Sequence, residues 1–492
     1  MSPKLIAAIV GIYFLTLLVI TYLTSRNATN HTFFLGNKKS PWYVVAFGMI
    51  GASLSGVTFM SVPGWVKDTQ FTYMMVVLGY LAGYIVIATI LMPLYYRLNL
   101  TSIYSYLEGR FGNSTYKTGA SFFILSRVIG ASLRMFIVVN VLQIFVFDTW
   151  NIPFYVTIFI FIVSILIYTY KGGIRTIVWT DTLQTTFMLL AVVLSIVFIS
   201  KELGLSFGSL LTKVFQSDYS RVLDTDWNSK RFFVKQFFSG MFIAITMTGL
   251  DQEMMQKNLS CKSLKEAKLN MFTFSSVLVF VNLMFLILGA ILVFYAGSKG
   301  ITVANTDDLF PTIAIQHLVP IAGVIFIIGL ISAAYPSADG ALTSLTTSFC
   351  IDIIGINKPS FPESKKIKVR YAVHLVFAVV LLICIVIFKS LNNKAIIDNL
   401  FTIAGYTYGP LLGLYSFGMF TKWQVKDKWI PLVSIASPVV CFLLSSFSAQ
   451  LLWGYKFGFE LIILNGVLTF FGLWLFRTNK TSLLGAQKSP QE

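Results

Sequence analysis

Polar positions along this chain arrive in short clusters, and the stretches between them are apolar over about 20 residues, the length at which a helix crosses the hydrocarbon core of a bilayer. The runs cover roughly 4–24, 41–66, 71–96, 117–147, 152–170, 174–200, 232–250, 269–297, 320–350, 369–389, 394–420, 429–449 and 457–476, and predict about thirteen transmembrane helices. They are too long and too uniformly apolar for the alternating strands of a membrane barrel. The first run is longer than a signal-peptide core, and Thr21 to Ser25 offers no small-residue cleavage pattern, so it is expected as a retained accessory helix.

The second run is built against its own helix. Gly51-Ala52-Ser53-Leu54-Ser55-Gly56-Val57-Thr58 places two glycines and three hydroxyl side chains in its centre. Unwound backbone at membrane depth is tolerated only where it lines a cavity or is buried in protein. Span seven carries Gly240, Thr246, Thr248 and Gly249 at a comparable place, and paired interruptions in two halves point to a transporter site near the midplane. Spans two to six and seven to eleven start from opposite sides of the membrane, so likeness between them would be an inverted repeat. The alternative is that these small residues only let helices pack closely.

Composition agrees with the pattern: 56% of residues are hydrophobic, 12% are charged and mean hydropathy is +0.78, unlike a soluble chain with about 25% charged residues. A formal charge of +17 would suit nucleic acid, but the cations sort by loop. With the N-terminus outside, inner-side loops hold roughly twice as many Lys and Arg as outer ones, among them Lys38, Lys39, Lys262, Lys265, Lys365, Lys366, Lys422 and Lys426. The expected partner is therefore the lipid bilayer of the cell (inner) membrane, with a cytoplasmic C-terminus, no nucleic acid and no obligatory protein partner. Four cysteines in no ligand spacing and three scattered histidines imply neither disulfide nor metal cluster.

The organisation expected from these runs is an accessory helix and loop (1–40), a first repeat (41–200), an external loop with short helices (201–231), a second repeat (232–420), two further helices (421–477) and a polar, disordered cytoplasmic tail (478–492). Residues 101–111 predict a capped amphipathic helix with Glu108 and Arg110 on its polar side.

Few ionisable groups fall at bilayer depth, where they are costly and functional by default. Arg127 and Arg134 lie two turns apart on one face of span four, Asp181 opens span six, and Asp339 lies within span nine. Pro336 frees a carbonyl one turn earlier, so a carbonyl, the Ser337 hydroxyl and the Asp339 carboxylate cluster there. Oxygen ligands of that kind suit a hard cation such as sodium. The alternative is a kink with Asp339 salt-bridged to an arginine. The arginines would grip a carboxylate on a solute, or pair with an internal aspartate. No phosphate-cradling loop, zinc-protease motif or nucleophile elbow occurs, so the chain is expected to be a secondary active transporter and not an enzyme.

At these residues the chain resembles the sodium:solute symporter family, and most closely its bacterial sialic-acid members. The resemblance rests on Ser53 to Pro63, Thr101 to Phe111, Tyr168 to Gln184, Asp251 to Lys257 (DQEMMQK) and Ala333 to Ser344. It implies an all-α, LeuT-type 5+5 inverted repeat with flanking helices, and sodium-coupled import of a small organic solute by alternating access. It also implies a main sodium position at the carbonyls of Gly51, Leu54 and Ala333 and the hydroxyl of Ser337, with Pro336 where relatives often have serine. A second sodium position would involve Asp181, Asp339 and Gly340, where relatives have two serines at the latter pair. Solute contacts would be Ser53, Ser55, Thr58, Gly79, which is glutamine in the sialic-acid members, and an arginine, Arg127 by local sequence or Arg134. Sialic acid, sugars, inositols, amino acids and other organic acids are all handled within the family. Proton coupling through Asp339 or Asp181, and a ligand-binding sensor or channel, are the alternatives.

Overall fold

The computed structural model describes residues 3–25, 30–359, 361–391 and 396–481. Helices lie over every predicted run: α1 (Pro3–Ser25), α2 (Trp42–Thr69), α3 (Tyr73–Arg97), α4 (Asn113–Trp150), α5 (Phe154–Tyr170), α6 (Gly173–Glu202), α7 (Phe233–Gly249), α8 (Gln252–Leu259), α9 (Leu264–Lys299), α10 (Pro320–Ile354), α11 (Glu363–Leu391), α12 (Ile396–Phe420), α13 (Ile430–Ser446) and α14 (Leu461–Leu475). Among the described residues, nine helices are long and apolar enough to cross a membrane, or ten if the bent pair α7 and α8 forms one span. Each of the thirteen expected runs coincides with helix, but α5 and α14 are shorter apolar helices and the count of spans reaches nine or ten among the described residues, not thirteen.

Burial separates core from periphery. In α2 and α10 the most apolar stretch is 89% and 83% buried, whereas in α1 it is 17%, so α2 and α10 run through the protein while α1 faces lipid.

Three breaks shape this bundle. In α2, Ser55 takes φ 53° and ψ 170°, a conformation that costs a side-chain-bearing residue on the order of 1–3 kcal/mol and persists only where neighbours impose it. Beyond this point the backbone donors no longer reach one turn back, so carbonyls in the Gly51–Leu54 turn lose their helical partners. Between α5 and α6, Gly173 turns the chain at φ 52°, and a β-carbon there would strike Phe33. Between α7 and α8 the axis bends by 65°. Tyrosine hydroxyls hold that bend: Tyr95 donates to the Gly249 carbonyl (2.8 Å), Tyr104 to the Leu250 carbonyl (2.9 Å) and Tyr408 to Asp251 Oδ2 (2.6 Å). Asp251 Oδ1 caps α8 by accepting from the Glu253 and Met254 amides at 2.9 and 3.2 Å.

Two expectations need correction. Within 101–111 only Ser105–Arg110 is helical, without a side-chain cap, and Arg110 is buried. Its guanidinium donates to the carbonyls of Gly418 (3.0 Å), Thr421 (2.8 Å) and Trp423 (2.9 Å), because three carbonyls in the last turn of α12 and just after it offer it more than a solvated face does. The polar tail also begins later than predicted, since Arg477–Thr481 pairs antiparallel with Trp423–Val425. The rest of the predicted tail, 482–492, lies outside the described residues. Between α6 and α7 the expected short helices are Phe207–Gln216 and Asp218–Ser220.

Candidate functional site

The break in α2 opens onto an internal cavity. Ser53, Ser55 and Thr58 line it from α2, Tyr80 and Tyr84 from α3, Arg127 and Arg134 from α4, Thr248 from α7, Asn282 from α9 and Phe401 from α12. Five of the six predicted solute contacts thus share one chamber. Gly79 does not line it. A β-carbon there would strike the Phe237 carbonyl and the Met241 amide, so Gly79 is where α3 and α7 approach backbone to backbone.

The two arginines share a face and a cavity but not a state. Arg127 is ion-paired with Glu253 and lies 3.7 Å from Asp251 Oδ2. Arg134 has no ion-pair partner among the described residues, and its Nε lacks a hydrogen-bond partner although the residue is buried. Arg134 is therefore the cation in this chamber with charge to offer.

A layer of charge joins the helices around α8. Glu253 faces Arg127 with one carboxylate oxygen and Lys257 Nζ with the other, at 3.5 Å. Lys257 Nζ donates to Asp181 Oδ2 at 2.7 Å, tying α8 to α6. Asp339 pairs with neither arginine, against the salt bridge weighed from the sequence: Tyr168 donates to its Oδ2 at 2.9 Å. Gly340 packs so closely on Glu253 that a β-carbon would strike the carboxylate.

At the crossing of α2 and α10, a β-carbon on Gly56 would lie 3.9 Å from Ala334 Cα. Here Ser337 Oγ is fully buried with no hydrogen-bond partner among the described residues, a few residues from Ala333 and one turn along from the carbonyl that Pro336 leaves free on Ser332. An orphaned hydroxyl beside freed carbonyls is the donor set a hard monovalent cation takes. Gly51 is anchored by its amide, which donates to Thr185 Oγ1 at 3.1 Å.

Glu253, Lys257, Thr185, Tyr408 and Asn282 received no role from the sequence. Glu253 and Lys257 lie in a motif that stands out in the sequence, but their charges read as a loop after span seven; only the 65° bend returns them to the core.

The model of the Sodium:solute symporter family matches residues 33–426. The sodium/sialic acid symporter of Proteus mirabilis (strain HI4320) is 25% identical over 429 residues, covering 85% of this chain and 84% of that protein. The sodium/sialic acid symporter of Aliivibrio fischeri (strain ATCC 700601 / ES114) is 23% identical over 407 residues, covering 82% and 80%. A solved structure of a Na+-coupled sialic acid symporter, substrate-bound and outward-open, superposes with a TM-score of 0.83 at 21% identity, covering 99% of this chain and 98% of the other. That likeness shows the fold.

Proposed function

The chain belongs to the sodium:solute symporter family, a multi-pass transporter of the cell membrane that couples sodium to a small solute, and we propose that its solute is a carboxylated, polyhydroxylated sugar acid of the sialic acid class. The observation that carries this reading is Arg134, a buried guanidinium without a counter-ion among the described residues, in a cavity whose lining also brings serine, threonine and tyrosine hydroxyls and the Asn282 amide. A guanidinium in such surroundings calls for an anion, and it grips a carboxylate with two parallel hydrogen bonds. Ser53, Ser55 and Thr58 then meet the solute's hydroxyls, and Tyr80 and Tyr84 its ring. Names of similar proteins supply the class: both bacterial relatives are sodium/sialic acid symporters.

Sodium binds at the carbonyls of Gly51, Leu54 and Ala333 and the hydroxyl of Ser337, with Pro336 adding a freed carbonyl in place of a hydroxyl. The second cation position, at Asp181, Asp339 and Gly340, meets the ammonium of Lys257, so an added sodium there competes with an internal cation. The main ion bridges α2 and α10, while the solute bridges α2 and α4. Each therefore stabilises the arrangement of α2 that the other needs, and by linkage each raises the other's affinity by the same factor.

Two layers close the chamber. On one side lies the charge layer of Arg127, Glu253, Lys257 and Asp181; on the other Phe401, Phe459 and Trp65 pack ring to ring, with centroids 4.8 Å apart for the tilted pair Phe401–Phe459 and 6.3 Å for the stacked pair Trp65–Phe459. With the N-terminus outside and the C-terminus cytoplasmic, the aromatic layer faces the exterior. Opening one layer at a time gives alternating access, and a membrane potential of about 100 mV contributes about 2.3 kcal/mol per sodium charge.

Binding tests the reading directly. Purified protein should show a thermal shift with sialic acid in sodium and none in potassium. A shift with neutral sugars or inositols alone would remove the carboxylate from the solute.

A further inference from the structure

We infer that Asn282 is a specificity-determining residue: its amide oxygen selects solutes carrying a hydroxyl or amide N–H donor at a place apart from the carboxylate. The inference rests on the sugar-acid reading and deepens it.

Asn282 lies on α9, four residues after Leu278, and both residues line the chamber that holds Arg134, as the shared face of a helix at that spacing requires. It is 2% exposed. Its Nδ2 donates to the Leu278 carbonyl at 2.8 Å, while Oδ1 has no hydrogen-bond partner among the described residues. The orientation of the amide is settled by chemistry, because turning it over would set Oδ1 against the Leu278 carbonyl, acceptor against acceptor. What remains is a buried oxygen that can only accept. Leaving such an atom unmet costs free energy, so the ligand that fills the chamber must bring a donor to it.

Carboxylate and ether oxygens fail that requirement. A hydroxyl or an acylated amine meets it. Arg134 and Asn282 together ask for two unlike groups on one molecule, an anion and a neutral donor, which a simple monocarboxylate does not have. Sites built to hydrogen-bond a polar group reject analogues lacking it far more strongly than apolar pockets reject a missing methylene. The selection is also neutral in charge, so it should not vary with ionic strength, unlike the Arg134 contact.

The test is affinity in sodium for sialic acid and for a panel of analogues, each with one hydroxyl or the amide N–H replaced by hydrogen or methylated. It uses the full-length native protein, Asn282→Ala and Asn282→Leu, with sodium-only thermal stability as the folding control. The native protein should lose about tenfold or more on one analogue. Asn282→Ala should lose a similar factor on sialic acid and nothing further on that analogue. The inference is overturned if either folded variant binds sialic acid like the native protein, or if its losses are equal across the panel, which is the mark of a purely structural role. If the native protein binds no member of the panel in sodium, the sugar-acid reading falls and this inference with it; if it binds them and the variant profile is flat, only this inference falls.

Discussion

Glu253 of α8 holds Arg127 of α4 in a buried ion pair, and so sets apart two arginines that look equivalent in spacing. Both residues are nearly inaccessible, and the same carboxylate also faces Lys257. A buried pair contributes little net stability, yet breaking it by removing one partner typically costs about 3–5 kcal/mol. Of the two arginines that line the chamber, Arg127 is thus engaged in an ion pair, and Arg134 has none among the described residues.

Arg134→Ala should weaken binding of an acidic solute by about 100-fold, and Arg134→Lys should recover only part of it, because a point charge replaces a planar fork. Affinity measured in saturating sodium decides. Equal affinity in Arg134→Ala and the native protein would move the anion contact elsewhere.

Removing Glu253 should be worse than removing its pair. Glu253→Gln leaves Arg127 and Lys257 short of a counter-charge, and a loss of about 3 kcal/mol is expected. The double variant Arg127→Leu, Glu253→Leu should be more stable than the sum of the single variants predicts, as thermal unfolding would show. Additive losses would mean that the two side chains do not depend on each other.

Ser337→Ala should raise the sodium concentration for half-maximal uptake several-fold, while solute affinity at saturating sodium stays near native. The orphaned Ser337 hydroxyl has no other partner to lose among the described residues. Unchanged sodium dependence would take Ser337 out of the cation site.

Lys257→Met should leave the Asp181 carboxylate buried without its ammonium, at 2.7 Å in the native protein. Sodium can then take the vacated position, so the variant's thermal stability should climb more steeply with sodium than the native protein's does. A parallel rise in both would show that Lys257 is not standing in for an ion.

Gly79→Gln should reduce folded yield sharply. A side chain at this position meets the Phe237 carbonyl before it meets the chamber. Normal yield with altered solute preference would return Gly79 to the binding surface.

Much of this was legible in the sequence. The apolar runs marked the helices, and the glycines and hydroxyls of Gly51 to Thr58 marked the break, because both depend on local chemistry. What was not legible depends on a bend. Asp251, Glu253 and Lys257 carry the charge density of a loop, and nothing local says that α7 turns by 65° and drives α8 back into the core. For the same reason Arg127 and Arg134 looked equivalent: their spacing is visible in sequence, whereas the carboxylate that occupies one of them comes from residues more than a hundred positions away. Gly79 is a further case, since nothing local in the sequence reports the backbone of Phe237 and Met241 packed against it.

Helix α1 lies outside the core, yet Tyr13 on it accepts a hydrogen bond from Ser332 at 2.9 Å and stacks on Tyr335, immediately before Pro336 and Ser337. A helix that faces lipid for most of its length adjusts its tilt to the thickness of the hydrocarbon around it. Through Tyr13 that tilt reaches the turn of α10 that meets sodium, so the acyl-chain length of the host membrane should itself tune how tightly the ion is held.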